Sequence, residues 1–210
     1  MSIRAIAFDY GMVLSGPPEP AARAQLLRLT GLDEDAFEAL YWVDRHAYDR
    51  GELSGLEFWR KFASDARLSL DDDTLHSLNT WDAAMWTTEN HAMIRWQQRL
   101  RSEGFATAIL SNMGDAVLAS IERNLPWARD FDAHIWSYQH GCAKPELDIY
   151  YLLLQRLGTA PEETLFLDDK QVNIDAAHRV GMHALVFTNV AQLCQDLISI
   201  RLDTELPLPD

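Results

Sequence analysis

Polar side chains with catalytic potential follow four short apolar runs of this 210-residue chain. If the runs are parallel strands, their carboxyl ends meet at one edge of a sheet, where ligands of such sheets bind. The side chains at these positions offer acids, a hydroxyl, an amide and an ammonium group: Asp9, Ser111, Asn112, Lys144 and the adjacent pair Asp168 and Asp169. The spacing therefore predicts a single site built from four strand ends.

These residue types fit phosphoryl transfer through a covalent aspartyl-phosphate. A carboxylate such as Asp9 is a recognised nucleophile, and the transferred group mainly needs its charge neutralised. Asp9 with Asp168 and Asp169 offers the hard oxygen ligands that Mg²⁺ takes, while Ser111 and Lys144 can hold phosphate oxygens. An aspartate after a strand is also a common helix cap, but adjacent carboxylates repel each other unless a cation or hydrogen bonds compensate them.

An alternation of strands and helices must position these side chains. After residue 104 the apolar pattern predicts strands over 105–110, 133–137, 164–167 and 184–187, separated by helices over 115–124, 147–157, 173–180 and 190–200. Residues 3–8 form one more strand of the same kind. The order predicts an α/β fold with a doubly wound, Rossmann-like parallel sheet that is covered on both faces.

The segment between the first two strands is helical only, which predicts a helical cap inserted after strand 1. Ser54 and Glu57 fit a capping box, and Gly31 and Gly104 stand where helices stop. A helix over 89–102 is expected to return to the sheet. One helical face is predicted for Phe37, Leu40, Tyr41, Asp44 and Tyr48. We therefore predict a core domain of residues 1–16 and 88–210 and a cap domain of residues 17–87.

Composition limits the partners. The chain has 18 basic and 32 acidic residues and a net charge of −14, which argues against nucleic acid or an anionic membrane surface. No apolar run approaches the ~18 residues of a membrane span. Cys142 and Cys194 are too few for a disulfide framework. We expect a cytoplasmic monomer or homodimer that acts on a small phosphorylated metabolite, with no nucleic-acid or membrane partner.

Four segments in order resemble the motifs of the haloacid dehalogenase (HAD) superfamily: residues 6–14, 109–112, 142–145 and 166–169. The helical insertion resembles the small helical cap of that family. Its segment Tyr48–Ser54 is similar to the branch that includes the epoxide hydrolase N-terminal phosphatase and bacterial sugar-phosphate phosphatases. The resemblance covers nearly the whole chain and implies a Mg²⁺-dependent phosphatase.

The resemblance also implies roles for the motif residues. Asp9 would be the nucleophile and a metal ligand, and the Gly11 carbonyl would bind the same metal. The remaining positions divide into metal ligands and phosphate holders: Asp168 and Asp169 for the metal, and Ser111, Asn112 and Lys144 for the phosphate, with Asn173 orienting the acidic loop.

Gly11 departs from the family pattern, because the phosphatases usually carry a second aspartate at this position. That aspartate protonates the leaving group, a contribution of about 10²–10⁴-fold in rate. The departure predicts substrates whose leaving group needs little protonation, such as anomeric sugar phosphates or acyl phosphates, or a cap residue or substrate-held water in its place. It also keeps open a catalytically weak scaffold that binds phosphate or a partner.

An alternative reaction is that of a haloacid dehalogenase. Such an enzyme would attack carbon with the same Asp9 and without metal, and the pair Asp168 and Asp169 disfavours it.

Three residues of the insertion are candidate substrate contacts: Trp42, His46 and Trp86. Large aromatic residues also pack amphipathic helices, and a histidine there also fits an exposed surface position.

Overall fold

The computed structural model describes residues 2–210, and its centre is a sheet of five parallel strands. The strands are β1 (Ala5–Phe8), β2 (Ala106–Ser111), β3 (Ala133–Trp136), β4 (Thr164–Asp168) and β5 (His183–Val186). Their spatial order is β3-β2-β1-β4-β5, and in register Ala7 lies opposite Ala108 and Phe166. The predicted doubly wound, Rossmann-like fold is confirmed, with strand bounds within two residues of those expected.

Helices cover both faces of this sheet, because alternate strand side chains point to opposite faces. They are α6 (His91–Ser102), α7 (Asp115–Asn124), α8 (Ser137–His140), α9 (Leu147–Leu157), α10 (Gln171–Val180) and α11 (Val190–Ser199). Ile6 and Phe8 pack in an apolar cluster with α6, α7 and α11. Ala7 and Leu110 pack in a second cluster with α9 and α10. The two faces therefore form two cores with the strand ends free at one edge.

The segment between β1 and β2 holds five further helices, which we call the helical insertion: α1 (Pro20–Thr30), α2 (Glu34–Tyr41), α3 (Arg45–Asp49), α4 (Gly55–Asp65) and α5 (Asp72–Met85). They share an apolar cluster of their own around Phe37, Phe58 and Trp59. The predicted capping box is present, since Ser54 and Glu57 exchange hydrogen bonds at the start of α4. The domain limits at 16/17 and 87/88 stay a prediction.

The predicted single helical face from Phe37 to Tyr48 is wrong. Helix α2 ends at Tyr41 and α3 begins at Arg45, with a turn over 42–44 between them. Aromatic, β-branched and aspartate side chains have low helix propensity, which favours a break there. Tyr41 and Tyr48 are nevertheless both buried, because both pack in the apolar cluster of the insertion.

Two simpler expectations concern cysteines and membranes. Cys142 and Cys194 are both free thiols. Among the helices of residues 2–210, none is long and apolar enough to cross a membrane.

The insertion docks on the core where the Tyr48 ring lies against Gly114, the residue before α7. A Cβ atom added at Gly114 would lie 2.1 Å from two atoms of that ring, closer than packed atoms approach. The Tyr48 hydroxyl also donates to the Asp115 carboxylate at 3.0 Å. The contact thus leaves no space for any side chain at position 114.

We expect Gly114→Ala to lower the free energy of unfolding by about 1–3 kcal/mol, since it overpacks a buried contact. Urea unfolding measures the loss. Gly11→Ala is the matched control, because its added Cβ meets nothing within 4 Å and its φ is −63°. Equal stability of the two variants would contradict the prediction.

Candidate active site

The Asp9 carboxylate lies at the end of β1 and is held through one of its oxygens. Oδ1 accepts hydrogen bonds from the Tyr10 backbone N–H (2.6 Å) and the Ser111 hydroxyl (2.8 Å), and Lys144 Nζ is 2.9 Å away. Oδ2 makes no hydrogen bond within residues 2–210. Three donors therefore fix the orientation of the carboxylate and leave its second oxygen available.

Lys144 joins the first and fourth strand ends. Its ammonium is buried and also bonds Asp168 Oδ2 at 2.6 Å. Asp168 further accepts from the Lys170 backbone N–H (2.8 Å) and from the Asn173 amide (2.9 and 3.0 Å). The orienting contact predicted for Asn173 is thus made to Asp168, whose hydrogen-bonding capacity is largely filled.

Asp9 and Asp168 share Lys144, but they differ in how far hydrogen bonds and positive charge offset the cost of burying their negative charge. Burial raises the pKa of Asp9 more than Lys144 lowers it. Burial also disfavours the charge of Asp168, yet Lys144 and the additional donors hold the pKa of Asp168 below its usual value. Since one ammonium serves two buried carboxylates, the Asp9 side of the site lacks positive charge.

Asn112 fixes the backbone that carries Lys144. Its side-chain amide donates to the Lys144 carbonyl, and its Oδ1 accepts from the Lys144 N–H, both at 2.8 Å. This reciprocal pair connects the loop after β2 to the loop before α9. Asn112 therefore positions Lys144 through its main chain, and it also lines the cavity described below.

A tight turn over Tyr10–Leu14 follows Asp9, closed by a hydrogen bond from the Ser15 N–H to the Tyr10 carbonyl at 2.7 Å. Met12 has a left-handed backbone (φ +60°), and its N–H donates to the Ser15 hydroxyl at 3.1 Å. Gly11 lies on this turn and lines the cavity. Position 11 thus faces the site with its main chain alone.

Asp9, Asp168 and Asp169 form a cluster that fits a divalent cation. Each offers a carboxylate oxygen, and these atoms lie within 4.8 Å of one another. Asp169 is half-buried, and burial together with Asp168 raises its pKa. Because hard oxygen ligands with uncompensated negative charge are what Mg²⁺ selects, the donor set fits this ion, with Asp9 and Asp169 less engaged by protein donors than Asp168.

A cavity of about 610 Å³ opens above these residues. The predicted residues Asp9, Gly11, Ser111, Asn112, Lys144 and Asp169 all line it, whereas Asp168 lies behind Lys144 and does not. The insertion forms the opposite wall with Trp42, His46 and Trp86. The cavity therefore lies between the sheet edge and the insertion.

The insertion also brings a buried ionic network to this wall, and this network was not predicted from the sequence. Arg45 bonds Asp49 Oδ1 at 3.1 Å and Asp82 Oδ2 at 3.0 Å, and it also contacts the Tyr41 hydroxyl. Arg45 and Asp49 both line the cavity. The i, i+4 spacing of Tyr41, Arg45 and Asp49 was a signal in the sequence, but Asp82 lies 33 residues beyond Asp49, and only the fold joins them.

Comparisons with known proteins identify relatives of this chain. A model of the haloacid dehalogenase-like hydrolase family matches residues 55–181. The chain is 26% identical to mouse bifunctional epoxide hydrolase 2 over 230 residues, covering 100% of this chain and 41% of that protein. It is 32% identical over 101 residues to the sesquiterpene phosphatase astK of Aspergillus oryzae, covering 48% of this chain and 51% of that protein. The chain thus spans about half or less of the length of these two relatives.

A solved structure has the same fold. The HAD family enzyme of Bacteroides thetaiotaomicron in complex with magnesium and inorganic phosphate superposes with a TM-score of 0.75 at 20% identity, over 89% of this chain and 95% of that one. The fold, the order of the four motifs and the match to the family over residues 55–181 lead to one conclusion. The chain belongs to the haloacid dehalogenase-like hydrolase family.

Proposed function

We propose that this protein is a Mg²⁺-dependent phosphatase that hydrolyses a small phosphorylated, sugar-phosphate-like metabolite through an aspartyl-phosphate on Asp9. The observation that carries the proposal is the cluster of Asp9, Lys144 and Asp169 at the floor of the cavity, with Asp168 buried beside Lys144. A nucleophile, a phosphate-binding ammonium and a cation site then occupy one sheet edge.

In this proposal Asp9 Oδ2 attacks phosphorus, because the Tyr10 N–H, Ser111 and Lys144 already hold Oδ1. A carboxylate held by three donors is oriented before substrate arrives, which lowers the entropic part of the barrier. Ser111 and Lys144 would also neutralise charge on the phosphoryl oxygens. The insertion, acting as the cap, would exclude water from the site.

Mg²⁺ would be held by Asp9, the Gly11 carbonyl and Asp169, with Asp168 behind them. When bound, it supplies positive charge for the phosphate and for the carboxylates. A chain of net charge −14 needs such local positive charge to bind a phosphate ester.

The relatives support phosphate ester chemistry. The fungal relative is a phosphatase by name, and the bacterial neighbour was solved with magnesium and phosphate. The cavity has room for a compact organic group, and Trp42, Trp86, Met113 and Val117 give it apolar walls. These apolar walls suit the organic part of a small monophosphate ester.

The test is phosphate release from a panel of sugar, acyl and aryl or alkyl phosphates with Mg²⁺ and after chelation by EDTA. We expect release with Mg²⁺ and a fall of at least about 10²-fold after chelation, restored by adding Mg²⁺. Release that is insensitive to EDTA would contradict the metal requirement.

A second candidate function is a scaffold that binds phosphate or a partner without turnover, and Gly11 is the observation that favours it. No phosphate release across the panel, with saturable binding of inorganic phosphate, would establish that candidate. Including 2-chloropropionate separates the dehalogenase alternative, for which chloride release without metal is the expected result.

A further inference from the structure

The proposed reaction lacks a proton donor at the position where the family's phosphatases have one, since residue 11 is glycine. An alkoxide leaving group needs a proton as its bond to phosphorus breaks. Outside the carboxylates and Lys144 at the strand ends, titratable side chains of five residues line the cavity: Tyr10, Arg45, His46, Asp49 and Lys170. The proton donor must come from this set or from solvent.

Four of the five are poorly suited. The Tyr10 hydroxyl donates to the Trp86 carbonyl at 2.7 Å, and burial raises its pKa far above the working range. Arg45 stays protonated at any physiological pH. The His46 side chain is 57% exposed and lies near Glu146, and the Lys170 ammonium lies over the Trp42 ring. Asp49 is the remaining candidate.

The surroundings of the Asp49 carboxyl shift it toward its protonated form, the direction that a general acid requires. It is buried, and its Oδ1 accepts from Arg45 Nε, while Oδ2 makes no hydrogen bond within residues 2–210. Burial raises the pKa of Asp49 above its usual value, helped by Asp82 from α5 and opposed by Arg45 from its own helix and Lys170 from the loop after β4.

Asp49 is also fixed relative to the phosphate-binding residues. Its carbonyl accepts a hydrogen bond from the Ser137 hydroxyl at 2.5 Å, and that hydroxyl accepts from the Met113 N–H at 3.0 Å. Met113 lies on the loop after β2, two residues beyond Ser111, the last residue of that strand. The next residue, Arg50, also bonds to the core: its guanidinium donates to the Gly141 carbonyl at 2.9 Å. Asp49 thus belongs to the part of the insertion that is anchored to the core, which is what a preorganised catalytic group requires.

We propose that Asp49 is the catalytic acid and base of the reaction, in place of the side chain absent at Gly11. The inference rests on the proposed phosphatase function. In-line attack by Asp9 from the floor directs the leaving oxygen away from the sheet edge, toward the wall that carries Asp49.

The proposed steps balance. In the first, the Asp9 oxygen bonds to phosphorus, the ester P–O bond breaks, and the Asp49 proton passes to the leaving oxygen. In the second, water attacks phosphorus, its proton passes to the Asp49 carboxylate, and the Asp9–phosphorus bond breaks. Ester and water become alcohol and phosphate, and both aspartates return to their starting states.

The test compares leaving groups, because an acid matters most when the leaving group is poor. For Asp49→Asn we expect kcat/KM for a primary alkyl phosphate to fall by about 10²–10⁴-fold. With p-nitrophenyl phosphate, whose leaving group needs no proton, we expect a fall of less than about tenfold. Glu52→Gln, the same change at an exposed acid of the same segment that pairs with Arg50, is expected to change neither.

A structural role for Asp49 gives a different result, since disturbing the Arg45 network would slow both substrates equally. Asp82→Asn, in the same network but away from the cavity, provides that comparison. An equal loss on both substrates in Asp49→Asn, or no loss on either, would overturn the assignment. Melting temperatures of all variants establish that folded enzyme is compared.

Restoring an acid at position 11 gives a second test that keeps Asp49 intact. A side chain fits there, because a Cβ added at Gly11 meets nothing within 4 Å. We expect Gly11→Asp to raise alkyl phosphate turnover by less than about threefold in the wild-type chain and by at least tenfold in Asp49→Asn. A 100-fold gain in alkyl phosphate turnover with Asp49 intact would show that Asp49 does not act as the acid. If the wild type releases no phosphate from either substrate, the phosphatase function itself fails and the assignment fails with it.

Discussion

Asp9→Asn is expected to reduce Mg²⁺-dependent phosphate release by at least about 10⁴-fold, because it replaces the proposed nucleophile with an amide that cannot form the phosphoryl intermediate. The amide oxygen can still accept the hydrogen bonds that Tyr10 and Ser111 donate to Oδ1. The geometry of the floor should therefore survive the substitution. Phosphate release under saturating Mg²⁺ with the substrate found in the panel measures the effect.

The stability of Asp9→Asn separates loss of chemistry from loss of fold. Burial disfavours the charge on Asp9, so removing that charge should leave the melting temperature unchanged or raise it. Asp35→Asn, the same change at an exposed position of α2, should keep both activity and stability close to wild type. Residual activity above about 1% in Asp9→Asn would assign the nucleophile to another group.

Most of the sheet and its edge could be predicted from the sequence, because both depend on local patterns. Short β-rich runs between amphipathic helices specify parallel strands, and the residue after each run necessarily lies at the carboxyl edge. That logic placed Asp9, Ser111 and Asp169 around one cavity. It also predicted α7 and α9 with their observed bounds, since their apolar periodicity is strong and Gly158 ends the second.

The opposite wall of the cavity could not be predicted in this way. Trp42 and Trp86 could be predicted as candidates, because they are aromatic residues of the insertion. Arg45 and Asp49 are charged residues, and they are buried in a network that Asp82 of α5 completes. A prediction from apolar periodicity assigns charged residues to the exposed face of a helix, so it does not predict buried ones. The break between α2 and α3 is a different case, because a local signal was present: the residues over 42–44 have low helix propensity, and the apolar spacing of Phe37, Tyr41 and Tyr48 outweighed that signal in the prediction.

The predicted preference for leaving groups that need little protonation depends on the residues of the same cavity wall. On sequence grounds Gly11 leaves three possibilities, namely a special leaving group, a cap residue or a substrate-held water. The buried Asp49 carboxyl beside the cavity favours the cap residue, and it removes the need for an anomeric or acyl phosphate. Glucose 1-phosphate and glucose 6-phosphate differ in leaving-group quality while sharing their size, so their relative turnover compares the first two possibilities directly.

Lys144→Met is expected to give the largest loss of stability in the site. It removes the ammonium that bonds two buried carboxylates, Asp9 at 2.9 Å and Asp168 at 2.6 Å. A buried charge left without its partner typically costs about 3–5 kcal/mol, whereas the methionine replaces most of the lost packing. We expect the free energy of unfolding to fall by about that amount in metal-free buffer, as measured by urea denaturation, and phosphate release to fall with it.

Two comparisons identify charge as the cause of the Lys144→Met effect. Lys61→Met removes an exposed ammonium that pairs with Asp44 and Asp65 on the surface of the insertion, and it should leave the stability close to that of the wild type, because solvent screens exposed ion pairs. Adding Asp168→Asn to Lys144→Met removes one of the stranded charges while keeping an acceptor for Asn173, so the double variant should be more stable than Lys144→Met alone. If the second substitution lowers stability further by its full single-site effect, the two side chains act independently, and the ion pair does not organise the floor of the site.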